Sequence, residues 1–358
     1  MPYYVRLHEA IDEYLRMRSA RCARTTVRNE TFVLRRFNAD YGDVQMRHIR
    51  PERVADWFYG PNGLCQPHVT RDRLRRGPVT ATTANYYRTR LASFFRWATR
   101  RGWLKCDLLQ DVEPFTTTRR TRLQAPPATL LRLLDCAYDR RDRALIAVLI
   151  NTGFRAGTAI GLKVGDVDLD EETLSVVVTK SHQEDKFPIT LDLAAELKDW
   201  LSQYAVDIGR PLRKDDWLLP ARGRTVYRWT TDDTGTKVRS RTDWSWAPER
   251  PMTHPERAVQ LALRGVGITD TKGEGCHTLR RSVARALFDS MATTTGYDAA
   301  LRTVSATLHH QSSATTEHYL GLTSERSRRD AMLRGAPFLT AFTTETLDNV
   351  RPIRVSSG

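Results

Sequence analysis

Five short stretches of the chain hold residue types suited to chemistry on a phosphate ester. They are TGFR (Thr152 to Arg155), TKSHQEDKFPI (Thr179 to Ile189), HTLRR (His277 to Arg281), LHHQSS (Leu308 to Ser313) and TTEHYLG (Thr315 to Gly321). Together they offer guanidinium, ammonium and imidazole groups and a phenol. Breaking a phosphodiester builds extra negative charge on the non-bridging oxygens in the transition state, and fixed positive donors aimed there lower the barrier. Arginine suits this work because its planar fork grips two oxygens at once and keeps its proton at any physiological pH. A tyrosine hydroxyl, with an ordinary pKa near 10, becomes a useful nucleophile only beside cations or a base. No acidic cluster is spaced like a two-metal nuclease site, and neither H-E-x-x-H nor a glycine-rich phosphate loop occurs. A reaction without metal or cofactor is therefore the economical expectation.

Taken in order, the five stretches resemble the tyrosine recombinase, or integrase, family, whose signature runs Arg, Lys, His-x-x-Arg, Gly-His and Tyr. In that family the Tyr stands nine residues after the second His, as Tyr319 does after His310 here, and Lys180 lies eight residues before Pro188, which closes the hairpin. The resemblance extends over about residues 5–335. It implies a catalytic set of Arg155, Lys180, His277, Arg280, His310 and Tyr319. Arg155 and Arg280 would clamp the scissile phosphate, and Tyr319 would attack it, leaving a 3′-phosphotyrosine and a free 5′-hydroxyl. Lys180 would protonate the departing 5′-oxygen as a general acid. His277 and His310 would hydrogen-bond the phosphate and assist proton transfer. The phosphoester bond energy is conserved, so no ATP is needed. Lys186 lies in the same hairpin as Lys180, but the spacing to Pro188 favours Lys180. His309 and His318 are neighbours of the expected site rather than members of it.

Two positions depart from the family pattern. Three residues after the first Arg, where the family commonly has an acid that buttresses the site, this chain has Thr158. The usual Gly before the second His is His309, an awkward residue if the backbone there needs a positive φ.

These side chains need elements to hold them. Residues 5–18 place Leu7, Ile11, Tyr14 and Leu15 at helical spacing. A second helix is expected from a Thr25–Thr26 cap, burying Val33, Leu34, Phe37 and Tyr41, and a third opens at Pro51 with Val54, Trp57 and Phe58 inside. Residues 62–80 read as a basic loop, and 82–101 as a fourth helix stopped by Gly102. After an aperiodic stretch, helices are expected at 128–138 and 141–152. Strands follow at 167–169, 174–179 and 187–190, then an amphipathic helix at 192–205. Residues 221–250 are polar with interspersed aromatics and a DDTG turn, and suggest a hairpin. Helices resume at 255–264, 278–291, 297–309 and 313–320. The expected fold is mainly α with a small antiparallel β-sheet, in two domains. Residues 1–112 form a helical core-type DNA-binding domain (SAM-like), 113–126 a linker, and 127–342 an α+β catalytic domain of the DNA breaking–rejoining type, with a tail at 343–358.

Composition points the same way. Residues 1–125 carry 24 Lys and Arg against 12 Asp and Glu, while the remaining 233 residues are nearly balanced. A basic half of this kind suits a polyanion. Arg outnumbers Lys 48 to 8, which fits backbone phosphate contacts or a GC-rich genome equally well. The five cysteines are scattered, with no C-x-x-C pair, against both a disulfide framework and a zinc site. The longest apolar run, near 144–150, is far too short to span a membrane, and the N-terminus does not read as a signal peptide. A cytoplasmic, nucleoid-associated protein is expected.

The resemblance implies further partners. The two domains would close around double-stranded DNA at short core-type sites, with binding that weakens steeply with salt. The chain would be monomeric in solution and a homotetramer on synapsed DNA, with the apolar segment Ala331 to Phe342 passed between protomers. DNA-bending or directionality factors could assist, and the reaction would integrate or excise a mobile element. A type IB topoisomerase and a non-catalytic DNA-binding regulator on the same fold are the alternatives.

Overall fold

The computed structural model describes residues 4–69, 75–117, 122–177, 184–223, 226–231, 234–243, 245–310 and 312–322. Lys180, the Ala331 to Phe342 segment and the tail at 343–358 lie outside them. The chain divides into two compact units, Met1–Arg120 and Thr121–Gly358.

The first unit is built on α1 (Leu7–Ser19), α2 (Arg24–Tyr41), α3 (Pro51–Tyr59) and α4 (Ala81–Arg100). The expected inward faces meet in one core of Leu7, Ile11, Val33, Leu34, Phe37, Val54, Phe58, Leu91, Phe94 and Phe95. Thr25 and Thr26 do not cap α2: the helix starts one residue earlier, with Ala23 in the capping position and no side-chain cap, so both threonines sit in its first turn. Thr80 does cap α4, its Oγ1 accepting from the Thr83 amide. The chain leaves α4 through Gly102 at φ 75°. The 62–80 stretch holds two short antiparallel strands, β1 (His68–Val69) and β2 (Arg75–Arg76).

The expected linker is fastened at both described ends. On the first unit, the Asn85 side chain brackets Phe115, donating to its carbonyl at 2.7 Å and accepting its amide at 2.9 Å. On the second unit, the Ala125 amide donates to Ser282 Oγ at 2.7 Å and Gln124 Nε2 to the Leu320 carbonyl at 3.0 Å.

The second unit starts with α5 (Pro127–Asp135), α6 (Arg140–Thr152) and α7 (Ala156–Ile160). A three-stranded antiparallel sheet follows, β3 (Val167–Asp168), β4 (Thr173–Val177) and β5 (Glu184–Pro188), with Leu174 opposite Phe187 and Val177 opposite Glu184. Next come α8 (Leu191–Ile208) and a four-strand excursion: β6 (Pro220–Arg222), β7 (Val226–Thr231), β8 (Lys237–Asp243) and β9 (Trp246–Pro251). There β6 pairs β9, and β7 pairs β8 as the hairpin expected in 221–250. Four helices follow among the described residues: α9 (Pro255–Gly265), α10 (Cys276–Thr295), α11 (Tyr297–Thr307) and α12 (Ser313–Leu320). The fold is thus mainly helical with small antiparallel sheets, as expected.

Helix α6 is buried along Ala144 to Leu149, which explains why its apolar run shows no amphipathic period. It is the centre of a core shared with β4, α8, α9 and the start of α10. A separate apolar cluster of Ala284, Phe288, Ala300, Leu301, Val304, Leu308, Leu320 and Leu322 joins the later part of α10 to α11 and α12. This second cluster holds the two C-terminal motifs against α10. All five cysteines are unpaired. No described helix is long and apolar enough to cross a membrane, and no His/Cys/Asp/Glu cluster fit for a metal occurs among the described residues.

Candidate active site

Helix α6 ends at Gly153, whose φ of 64° suits a residue without Cβ; an added Cβ would also press on Leu308 at 3.2 Å. The reversal throws Phe154 inward and sets half-buried Arg155 as the residue capping α7. Helix α10 supplies two more groups. Its first amide, from Cys276, donates to the Glu256 carboxylate at 2.6 Å, and Glu274 accepts from Thr278 Oγ1 at 2.6 Å. Both carboxylates sit where the helix dipole is positive. His277 and Arg280 follow three residues apart, on one face of the first turns.

Arg280 is 2% exposed. Its guanidinium donates to the carbonyls of Gly153 and Leu308, each at 2.6 Å. These carbonyls belong to the residues that end α6 and α11, so two negative helix termini face the cation. Burial first, and then the charge of Arg155, pushes the Arg280 guanidinium down to about 10, while Tyr319 pulls it back up. It remains charged at neutral pH. Among the described residues it has no carboxylate partner. Its neighbour Arg281 does, pairing with Glu274 at 2.6 Å.

His310 follows α11, its Nε2 3.3 Å from the Arg280 guanidinium and its Nδ1 2.9 Å from Thr316 Oγ1. An Nε2 that faces an N–H donor must be the acceptor, which assigns the ring proton to Nδ1 in this neutral tautomer. Thr316 is fully buried on α12, one helical turn before Tyr319, so one helix face holds the imidazole and presents the phenol. The Tyr319 and His310 rings meet edge to face at 5.3 Å, and the Arg280 guanidinium lies 6.0 Å from the phenol ring centre. The Tyr319 hydroxyl donates to the His277 carbonyl at 3.3 Å. Burial raises the phenol above its usual range, against the lowering pull of Arg280, Arg281 and Arg155. His277 is lowered, by burial first; Glu256 opposes that and Arg280, Arg281 and Arg155 add to it.

Of the six residues singled out in the sequence, Arg280, His310 and Tyr319 bring their side chains together, His277 joins them through its main-chain carbonyl, and Arg155 is close enough for its charge to act on His277, Arg280 and Tyr319. Lys180 lies outside the described residues, in the connection between β4 and β5. Lys186 is an exposed residue of β5 opposite Ser175. Thr158 is buried in α7. His309 has the left-handed backbone that its glycine-like position foreshadowed, φ 49°, a conformation that costs a side-chain-bearing residue roughly 1–2 kcal/mol. Its imidazole Nε2 lies 2.8 Å from Asp185 on β5. Sequence reasoning missed Glu256, Thr316 and Asp185. Thr316 had a local signal, its one-turn spacing to Tyr319. Glu256 and Asp185 reach the site only through the tertiary fold.

With this geometry in hand, comparison with known proteins is informative. The model of the phage integrase family matches residues 127–326. The tyrosine recombinase XerD of Ralstonia nicotianae is 27% identical over 257 residues, covering 69% of this chain and 71% of that protein. The tyrosine recombinase XerC of Neisseria meningitidis is 26% identical over 271 residues, covering 73% and 76%. Solved structures agree in fold. A lambda integrase dimer bound to a COC′ core site superposes with a TM-score of 0.60 at 15% identity, covering 88% of this chain and 77% of that one. A lambda integrase tetramer bound to a Holliday junction scores 0.59 at 16%, with 88% and 77% covered. The Tn1549 transposon integrase in complex with a circular intermediate DNA scores 0.60 at 14%, with 92% and 99% covered. The match of the family model over more than half the chain, together with relatives aligned over about seven-tenths of it, makes this chain a member of the phage integrase family and an enzyme of site-specific recombination of the tyrosine recombinase type.

Proposed function

We propose that this recombinase cuts and rejoins double-stranded DNA through a 3′-phosphotyrosine bond to Tyr319. In this reading the Tyr319 oxygen attacks the scissile phosphorus while Arg155 and Arg280 hold the non-bridging oxygens. The 5′-oxygen leaves with a proton from Lys180, and His277 and His310 hydrogen-bond the phosphate and assist proton movement around the phenol. Rejoining reverses these steps, with a 5′-hydroxyl of the partner strand as nucleophile. The phosphoester is exchanged and never hydrolysed, so no external energy source enters.

The observation that carries this reading is the buried Arg280 beside Tyr319, a cation with hydrogen bonds to carbonyls and no counter-ion among the described residues. Such a charge is costly to bury unless an anion completes it. Burial holds the phenol above its usual range in the free protein, so it keeps its proton there and must release it as it attacks.

The reading extends to a basic first unit that contacts core-type DNA, to four protomers on two synapsed duplexes, and to integration or excision of a mobile element in the cytoplasm at the nucleoid, assisted by DNA-bending or directionality factors. The DNA-bound states of the lambda and Tn1549 integrases and the tetrameric state of the lambda integrase support it. The deciding experiment is a suicide substrate nicked so that the short fragment carrying the freed 5′-hydroxyl diffuses away after cleavage. Wild-type protein should accumulate a covalent DNA adduct, and Tyr319→Phe should form none while binding the same DNA within about twofold. An adduct formed by Tyr319→Phe, or none by the wild type on its own site, would refute the assignment.

A further inference from the structure

His309 and Asp185 join the turn before α12 to strand β5. His309 immediately precedes His310, and its backbone is held left-handed at φ 49°. Asp185 is the second residue of β5, opposite Val176, at the end of the sheet where β4 leads into the connection that contains Lys180. The imidazole Nε2 and the carboxylate Oδ2 are 2.8 Å apart, with the imidazole only 18% exposed. The same imidazole lies 6.5 Å from the Phe154 ring, and Phe154 packs edge to face on Phe187 of β5 at 4.9 Å. Phe154 adjoins Arg155. The His309 side chain therefore touches the β5 strand and the residue next to Arg155, while its backbone sets the direction of His310.

We propose that His309 and Asp185 form a positioning pair that fixes the β4–β5 hairpin against the His310 loop, and so sets the reach of Lys180 to the leaving oxygen. Neither residue touches the scissile phosphate in this scheme; the pair acts through its neighbours. A glycine at 309 would satisfy the backbone and lose the tie, which explains what a histidine gains at a place where its own backbone is strained. The proposal rests on the assignment of Lys180 as general acid.

The test compares cleavage of two suicide substrates by wild-type protein, His309→Gly, Asp185→Ala, the double variant and Lys180→Ala. One substrate has the ordinary 5′-oxygen at the scissile phosphate. The other has a bridging 5′-sulfur, which leaves as a thiolate and needs no proton. His309→Gly is chosen because glycine accepts the left-handed backbone and preserves the fold. Displacing a catalytic group by about an ångström costs on the order of 100-fold, so His309→Gly and Asp185→Ala should each slow cleavage of the oxygen substrate by about 10- to 100-fold with DNA affinity unchanged. The double variant should be no slower than the worse single one, because either change breaks the same tie. The sulfur substrate should restore most of the rate in all of them, as in Lys180→Ala. Wild-type rates in His309→Gly, additive losses in the double variant, or losses that sulfur does not restore while it does restore Lys180→Ala, would overturn the proposal. If sulfur fails to restore Lys180→Ala itself, the general-acid assignment is what has failed, and non-additivity on the oxygen substrate then decides alone whether the two residues act as a pair.

Discussion

Glu30 in the first unit and Arg280 in the second are both almost fully buried, at 1% and 2% exposure. Glu30 accepts two hydrogen bonds from Arg18, at 2.8 and 2.9 Å, and has Arg90 at 3.7 Å. Its charge is matched on the spot, and the triad ties α1, α2 and α4 together. Arg280 meets the carbonyls of Gly153 and Leu308, the His310 ring and the Tyr319 phenol, with no carboxylate among the described residues and a second cation, Arg155, near by. Glu30 comes with its counter-ions; Arg280, proposed to clamp the scissile phosphate, is left in surplus among the described residues. Holding the guanidinium at about 10 instead of 12.5 works against the folded state by on the order of 3 kcal/mol, a cost that bound phosphate would offset.

Crossed substitutions put this contrast under the greatest strain. Arg280→Met should slow covalent cleavage by on the order of 10²–10³-fold, the usual loss for one oxyanion donor. It should move the melting temperature only slightly, because relief of the desolvated charge offsets the donors lost to two carbonyls. Glu30→Gln should do the reverse. It strips Arg18 and Arg90 of their counter-ion, so urea unfolding of the first unit should reveal a loss of about 1–3 kcal/mol, with the single-turnover cleavage rate unchanged. Equal stability losses in the two variants would erase the distinction between a matched and a surplus charge.

A milder probe is an anion that fits the second unit and has nothing to do in the first. Inorganic phosphate at ten times its dissociation constant should stabilise the wild type by about 1.4 kcal/mol, a rise of roughly 3–6 °C for a unit of this size. Arg280→Met should show none of this rise beyond the general salt effect, and Glu30→Gln should show all of it. A phosphate response that survives in Arg280→Met would place the anion site elsewhere.

How much of this was legible in the sequence follows from the range of the forces involved. The first unit's helices could be read because their inward residues repeat at helical spacing, from Leu7, Ile11 and Tyr14 to Leu91, Phe94 and Phe95. The start of α2 could not, because Thr25 and Thr26 look like caps and the chain uses neither. In the second unit, His277 and Arg280 share a helix face and Thr316 and Tyr319 share another, so each pair was visible as a spacing. That the two pairs meet depends on α10 packing against α11 and α12 through residues such as Phe288, Val304 and Leu320, which any apolar pattern would permit. The positive φ at His309 was foreshadowed by its glycine-like position, but the partner that holds its imidazole, Asp185, lies 124 residues away. Glu256, on α9, lies 20 residues before the amide of α10 that it accepts, too far for any spacing within one helix to reveal it.

The smallest effect expected from the surplus of positive charge is on His277. Burial, together with Arg280, Arg281 and Arg155, lowers its pKa below the ordinary 6.5, and Glu256 recovers only part of this. A histidine lowered in the folded state binds its proton more readily when the chain is unfolded. Above pH 6.5 neither state is protonated there and nothing is lost. As pH falls below 6.5 the unfolded chain takes up the proton first, and stability drains away until the folded pKa is passed. Between pH 7.5 and 5.5 the melting temperature of the wild type should therefore fall more than that of His277→Gln, which has no proton to gain. Arg280→Met should narrow the gap by removing one of the cations that resist protonation. If the two melting curves shift in parallel across this range, His277 does not feel the field of the arginines, and the second unit holds less uncompensated charge than its geometry indicates.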